Sequence, residues 1–162
     1  MRFFSPLIAL FSFSILTSLS IATPIVKPGR QCDPKAKGHH LPALQEAAIK
    51  DFAHLFLVEK DVKKAFNKYI PGTYIQHNPD ALSGRQAAID FLVVLWASPG
   101  MRFANITAWA GEGIGMMHYR MTNNEADNAV MDRLRFEGTC FVEHWDVIQR
   151  IYGNETNPIA FF

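Results

Sequence analysis

Asp132 stands in an alternating run, Val130 to Phe136, that reads VMDRLRF. In an extended chain successive side chains point to opposite faces, so Val130, Asp132, Leu134 and Phe136 share one face and Met131, Arg133 and Arg135 the other. A carboxylate among apolar side chains has its charged form disfavoured by desolvation, which suits it to take up and release a proton. The plain alternative is a buried aspartate satisfied by backbone donors or by an arginine. Two histidines are candidates to work with it. His118 shares a strand face with Ile114, Met116 and Arg120, and His77 sits where an extended piece meets a turn. A neutral imidazole can orient a carboxylate, polarise a carbonyl or shuttle a proton, although a lone histidine on a half-apolar face also serves as a plain structural group. His144 and Asp146 share a face of the next strand, with Glu143 and Trp145 on the other, and the pattern leaves open which face points inward. His118, Asp132 and His144 make a three-ligand set on paper, but no compact ligand motif accompanies them, so neither metal nor cofactor is expected. There is no G-x-S-x-G elbow, no phosphate-cradling glycine loop and no dinucleotide fingerprint, and Cys140 is better explained by oxidation than as a nucleophile.

The elements that must position these groups fall into two halves. Pro42 opens a first helix in which Leu44, Ala47, Ala48, Phe52, Leu55 and Phe56 recur at helical spacing. Asp61 is the N-cap of a short second helix carrying Val62, Phe66, Tyr69 and Ile70 on one face, stopped by Pro71-Gly72. TYIQHNPD follows as an extended piece and a turn. Ser83 and Gln86 read as a capping box for a third helix that buries Ala87, Ala88, Phe91, Leu92, Leu95 and Trp96 and stops at Pro99-Gly100. From Met101 the period becomes alternating: one strand to Ala110, a second over 112–122, and two more over Val130 to Gln149 joined by a tight turn at Glu137-Gly138. Three helices followed by four strands predict a segregated α+β fold, with helices packed on one face of an antiparallel sheet.

Composition bounds the partners. The 162 residues suit one domain, and a formal charge of +1 without a basic block argues against nucleic acid. Arg2 followed by the apolar run Leu7 to Ile21 and the small residues Ser20-Ile21-Ala22 reads as a signal peptide over 1–22, too short for a membrane span, so a secreted chain with no membrane contact after cleavage is expected. Residues 23–40 form an extended arm, 41–153 the domain and 154–162 a tail. His39-His40 in the arm have no ligand-spaced partners and read as solvated. Asn105 and Asn154 head N-glycosylation sequons, which fits export. Cys32 and Cys140 are the only pair available to an oxidising compartment; either they bridge the arm to the sheet, or one is a buried thiol and the other a tail thiol.

YIQHNPD at Tyr74–Asp80, Gly84 before a helix, D-x-x-R at Asp132–Arg135, a turn glycine and VEHWDVIQ at Val142–Gln149 together resemble the SnoaL-like polyketide cyclases of the nuclear transport factor 2-like superfamily. The resemblance covers roughly residues 42 to 152. It implies a cone-shaped, strongly curved antiparallel sheet wrapped around helices, an apolar pocket, and a homodimer formed through the sheet. It also implies cofactor-free acid/base chemistry (aldol cyclisation, isomerisation or a related lyase step) on a carbonyl-bearing apolar small molecule. By motif position Asp132 matches the acid/base and His118 the helper, while His77 belongs to the QHNP signature. Tyr74, Trp145, Met116 and Leu134 would be pocket walls. An arginine after Asp132 and a Phe-Glu-Gly turn depart from the family pattern. A secreted binding protein using the same pocket without chemistry is the alternative.

Overall fold

The computed structural model describes residues 31–162, so the signal segment and the first part of the arm lie outside the described residues. Helix α1, Leu41–Ala53, carries its proline in the first turn, where a missing N–H costs nothing, and runs on into a π-helical turn at His54–Val58. The widened turn leaves the Phe56 carbonyl to accept from Trp96 Nε1 at 2.7 Å. Helix α2, Val62–Tyr69, starts as expected at Asp61, whose carboxylate accepts from the Lys64 backbone N–H at 2.9 Å. Helix α3, Arg85–Trp96, does not use the Ser83/Gln86 box. Gly84, at φ 115°, occupies the N-cap, and the Ser83 hydroxyl instead accepts from the backbone N–H of Gln76 at 3.2 Å.

Five strands form the sheet: β1 Ile75–Gln76, β2 Arg102–Gly111, β3 Ile114–Thr122, β4 Asp127–Glu137 and β5 Cys140–Arg150. Their order is β1-β5-β4-β3-β2, antiparallel except for β1, which lies parallel to β5. The sheet is therefore an open, mixed one with five strands rather than four. The extra strand is the two-residue core of the YIQHNPD segment, too short for any alternation to announce.

Helix α1 packs on strands β2 and β3. Ile49 is fully buried against Gly115, where an added Cβ would come within 3.0 Å of the Ile49 side chain, so the missing side chain sets how closely helix and sheet approach. Phe52 and Phe56 stack with centroids 5.2 Å apart; Phe52 meets Phe141 at 5.1 Å and Phe56 meets Trp96 at 4.6 Å. These rings form a continuous aromatic floor between the helices and the sheet.

The arm is fastened to the hairpin between β4 and β5. Cys32 and Cys140 are joined by a disulfide across a separation of 108 residues. Asp33 exchanges two hydrogen bonds with Thr139: its N–H donates to the Thr139 hydroxyl at 2.8 Å and its carbonyl accepts from the Thr139 N–H at 2.9 Å. The turn itself is Gly138-Thr139, one residue later than the expected Glu137-Gly138. Gly138 has φ 57°, and a Cβ there would lie 2.2 Å from the Asp33 carbonyl oxygen, so only glycine fits under the arm.

Helices α1 and α2 are tied through Asp51, which accepts from Lys68 Nζ at 2.8 Å and from the Tyr69 hydroxyl at 2.7 Å. Burial pushes the Asp51 carboxyl upward, but these two donors outweigh it and hold the group below its ordinary 3.8. The unfolded chain therefore takes up this proton first. Asp51 contributes stability above about pH 4 and loses it as the pH falls through the lowered folded-state value. Thermal unfolding followed between pH 5 and 3 is expected to show a steeper loss for the wild type than for Asp51→Asn.

Candidate active site

The β3–β4–β5 register places the chemistry. Asp132 pairs across to Met117 on one side and Asp146 on the other, and Leu134 pairs with Gly115 and His144. Met117, Tyr119, Val130, Asp132, Leu134, His144 and Asp146 accordingly all line one cavity of about 210 Å³. Phe52, Phe56 and Phe66 from the first two helices and Phe91, Leu92 and Trp96 from α3 close it, so the walls are mostly aromatic and aliphatic. No lysine or arginine is among its lining residues.

Strand β1 supplies the polar rim. Running parallel to β5, it sets Gln76 beside His144, and the turn after it brings Asn78 to Asp146. Asp132 is 3 % exposed and His144 9 %. His144 Nε2 lies 3.1 Å from Asp132 Oδ1, and His144 Nδ1 lies 2.7 Å from Gln76 Oε1. Gln76 Oε1 also accepts from the Asn78 backbone N–H at 3.0 Å, which identifies that atom as the amide oxygen. An amide oxygen only accepts, so Nδ1 carries a hydrogen. Nε2 is then either the lone pair of a neutral ring facing a protonated Asp132 or the N–H of an imidazolium facing the carboxylate. In both forms one proton is shared between His144 and Asp132. A carboxylate facing the bare Nε2 of a neutral ring would set two acceptors 3.1 Å apart, so the contact is a hydrogen bond only with a proton between the two atoms.

Two phenols border this pair. Burial pushes the Tyr119 hydroxyl far up, reinforced by the charge of Asp132 beside it. Burial likewise raises Tyr74, with Asp132 and then Asp146 adding to it. Both remain hydrogen-bond donors at any working pH. Asp146 Oδ2 accepts from Asn78 Nδ2 at 2.6 Å. Asp132, His144 and Asp146 offer ligand atoms within 4.8 Å of one another, the span of a three-residue cation set. The 3.1 Å contact between His144 and Asp132 is equally well satisfied by the shared proton.

Of the residues singled out from sequence, Asp132, Tyr74 and Leu134 line the cavity. His118 and Met116 do not. They alternate with Met117 and Tyr119 on β3 and face the opposite, outer side, where the His118 ring stacks on Phe162 at 4.8 Å. Trp145 is also outside. His77 stacks on it at 4.6 Å, Arg133 covers it at 4.3 Å, and His77 Nε2 lies 2.9 Å from Glu143, which also accepts from Arg135 at 2.6 Å. The hydrogen bond from His77 and then that from Arg135 hold the Glu143 carboxyl low. His77 thus belongs to an outer-face ionic cluster rather than to the cavity. The resemblance made Trp145 a wall residue, and a bulge is what puts Asp146 there instead. Counting back from the Glu137–Cys140 closure pairs Asp132 with Trp145, but a register shift after Arg135 leaves one extra residue on β5 and moves the partner to Asp146.

No family model matches the sequence, and no curated protein matches it either. Solved structures do match. TsrD from Streptomyces laurentii aligns over 64 % of this chain and 89 % of its own at 13 % identity, with a TM-score of 0.50. AclR from Streptomyces galilaeus, provisionally described as a hydroxylase, aligns over 67 % and 90 % at 16 % identity and 0.55. A protein of Kribbella flavida DSM 17836, provisionally described as a ketosteroid isomerase, aligns over 70 % and 84 % at 11 % identity and 0.54. At such identities the likeness is one of architecture, and it supports the nuclear transport factor 2-like α+β fold.

Proposed function

We propose that this chain is a cofactor-free acid/base enzyme of SnoaL-like type, acting on a carbonyl-bearing, largely apolar small molecule by aldol cyclisation, isomerisation or a related lyase step. The observation that carries the reading is the single proton shared between His144 and Asp132 on the wall of an aromatic cavity, with Nδ1 fixed as a donor by Gln76. In this reading Asp132 removes a proton next to the carbonyl, and His144 takes the helper's place expected for His118. The developing enolate oxygen takes its donor from the Nε2–H of the imidazolium form of His144, and Tyr119, whose hydroxyl borders Asp132, is a further donor on the same wall. Gln76 and Asn78 orient without touching the reacting atoms. The neighbours provisionally described as a ketosteroid isomerase and a hydroxylase lend the fold a precedent for small-molecule chemistry and no more than that.

The chain is further proposed to be secreted, for which the Cys32–Cys140 bridge is compatible support, and glycosylated at Asn105 and Asn154, both of which are exposed. A homodimer through the sheet is supported by the outer face, where Trp109 and Val147 are exposed beside Met116 and Met131. The test of function is incubation of the purified chain with a small-molecule extract of the cells that make it, followed by mass spectrometry of both the bound and the free fractions. A consumed species matched by a new product supports the enzyme. A ligand retained unchanged, with no product, replaces it with a carrier.

A further inference from the structure

The polar wall of the cavity narrows the substrate class. We propose that Asp146 is a ligand-facing acceptor and that the site takes a one-ring-sized α-hydroxy ketone or aldehyde, an inference that rests on the acid/base reading above. Size comes first. A dry cavity of roughly 150 Å³ encloses one benzene ring, whereas pockets for drug-sized ligands span about 300–1,000 Å³. At about 210 Å³ this cavity holds one ring with a short side chain and not a fused four-ring skeleton.

Charge comes second. Asp132 and Asp146 are register partners that line the same cavity, and no lysine or arginine lines it with them, so even with His144 as an imidazolium the three groups keep a net negative charge. Substrates bearing a carboxylate or phosphate are therefore repelled. Asp146 has one oxygen held by Asn78, and among the described residues no protein donor reaches the other. Asp146 is half-buried, so that oxygen is open to solvent until a ligand displaces it, and the ligand must then bring a donor of its own, since an apolar group there would leave the oxygen unpaired.

Spacing comes third. The three side chains present their polar atoms within 4.8 Å of one another. A ligand atom sits about 3 Å from each partner, so the three ligand atoms must be close neighbours. A hydrogen-bearing carbon at Asp132, its own hydroxyl at Asp146 and the adjoining carbonyl oxygen at His144 occupy two bonded carbons and meet that spacing. In the forward step Asp132 takes the C–H proton and the released electron pair forms the C=C bond. The carbonyl π pair moves to oxygen, which takes the proton from His144 Nε2, and the product is an enediol. Return of a solvent-exchanged proton from Asp132 to carbon, with the C=C pair forming the new C–H bond and the enediol O–H proton going back to His144 Nε2 as the C=O bond re-forms, restores the ketone.

Deuterium exchange in D2O tests this with two ketones of one skeleton, 1-hydroxy-1-phenylpropan-2-one and 1-phenylpropan-2-one, followed by proton NMR at the benzylic C–H. After subtraction of the uncatalysed rate, the wild type is expected to exchange the hydroxylated ketone at least about tenfold faster than its parent, because a site built around a substrate hydroxyl rejects the analogue lacking it. Asp146→Asn, which keeps shape and the Asn78 contact, is expected to bring that ratio to about one, with its thermal unfolding checked in parallel. Catalysed exchange with no preference for the hydroxylated ketone, or a preference that survives Asp146→Asn, overturns the inference and leaves the acid/base reading standing. No catalysed exchange of either ketone overturns both.

Discussion

Asp132→Asn is expected to fold like the wild type and to lower turnover by about 10²- to 10⁴-fold, the range that a positioned general base contributes. The folding half of this expectation follows from the hydrogen bonds. With Nδ1–H committed to Gln76, His144 in its neutral form presents a lone pair at Nε2, and an asparagine amide donates to that lone pair across the same 3.1 Å. The contact survives while the proton-accepting oxygen pair is lost. Melting temperature should therefore change by no more than a few degrees, and the loss should fall on kcat with KM little altered, as for an interaction made only in the transition state. His144→Ala should also lose activity, and the double variant should be little worse than the poorer single one, because the two side chains handle one proton between them. Turnover of Asp132→Asn within about threefold of wild type would show that Asp132 is the buried structural aspartate it resembles when read without its partner.

How far the sequence foretold this site depends on which period each residue answers to. Helix starts with strong local chemistry were legible: Pro42 in the first turn and Asp61 as an N-cap both behave as their side chains dictate. So was the inward face of β4, because Val130, Leu134 and Phe136 are apolar while Arg133 is charged, and a period of two with one polar side is unambiguous. Strand β3 has apolar or aromatic groups on both faces, Met116 against Met117 and His118 against Tyr119, so alternation separated the two sets without saying which one was buried. Only pairing to β4 decides it, and pairing is not local. Strand β5 adds the bulge, which reverses parity between Phe141 and His144 and exchanges Trp145 for Asp146 on the cavity wall. Gln76 and Asn78 were invisible for a different reason. Their roles come from a two-residue parallel strand whose partner lies 68 residues away. The neutral amides of QHNP carry no pattern of their own, yet they decide which nitrogen of His144 holds its hydrogen.

Removing the disulfide, by Cys32→Ser with Cys140→Ser, is expected to cost about 4–5 kcal/mol, the chain-entropy value for a closed loop of roughly 100 residues. That is about a quarter or more of the 5–15 kcal/mol that stabilises a typical domain, and should lower the melting temperature by roughly 10–20 °C. Polar contacts of the arm are the competing term. The Cys32 N–H to the Lys68 carbonyl, the Asp33–Thr139 exchange and the Gln31 side chain on the Asn67 carbonyl would persist without the sulfurs. They are few and partly exposed, each worth on the order of 1 kcal/mol, and they must then order the arm against its own entropy. The bridge therefore dominates, and a loss below about 1 kcal/mol would show instead that those contacts hold the arm unaided. Its effect should reach the site, because β5 begins at Cys140 and carries His144 and Asp146 within the next six residues. Reductant should destabilise the wild type and leave the double serine variant unmoved. If the double variant retains full activity at temperatures well below its own melting point, the bridge holds the fold without setting the Asp132–His144 distance; a fall in kcat at those temperatures assigns it both tasks.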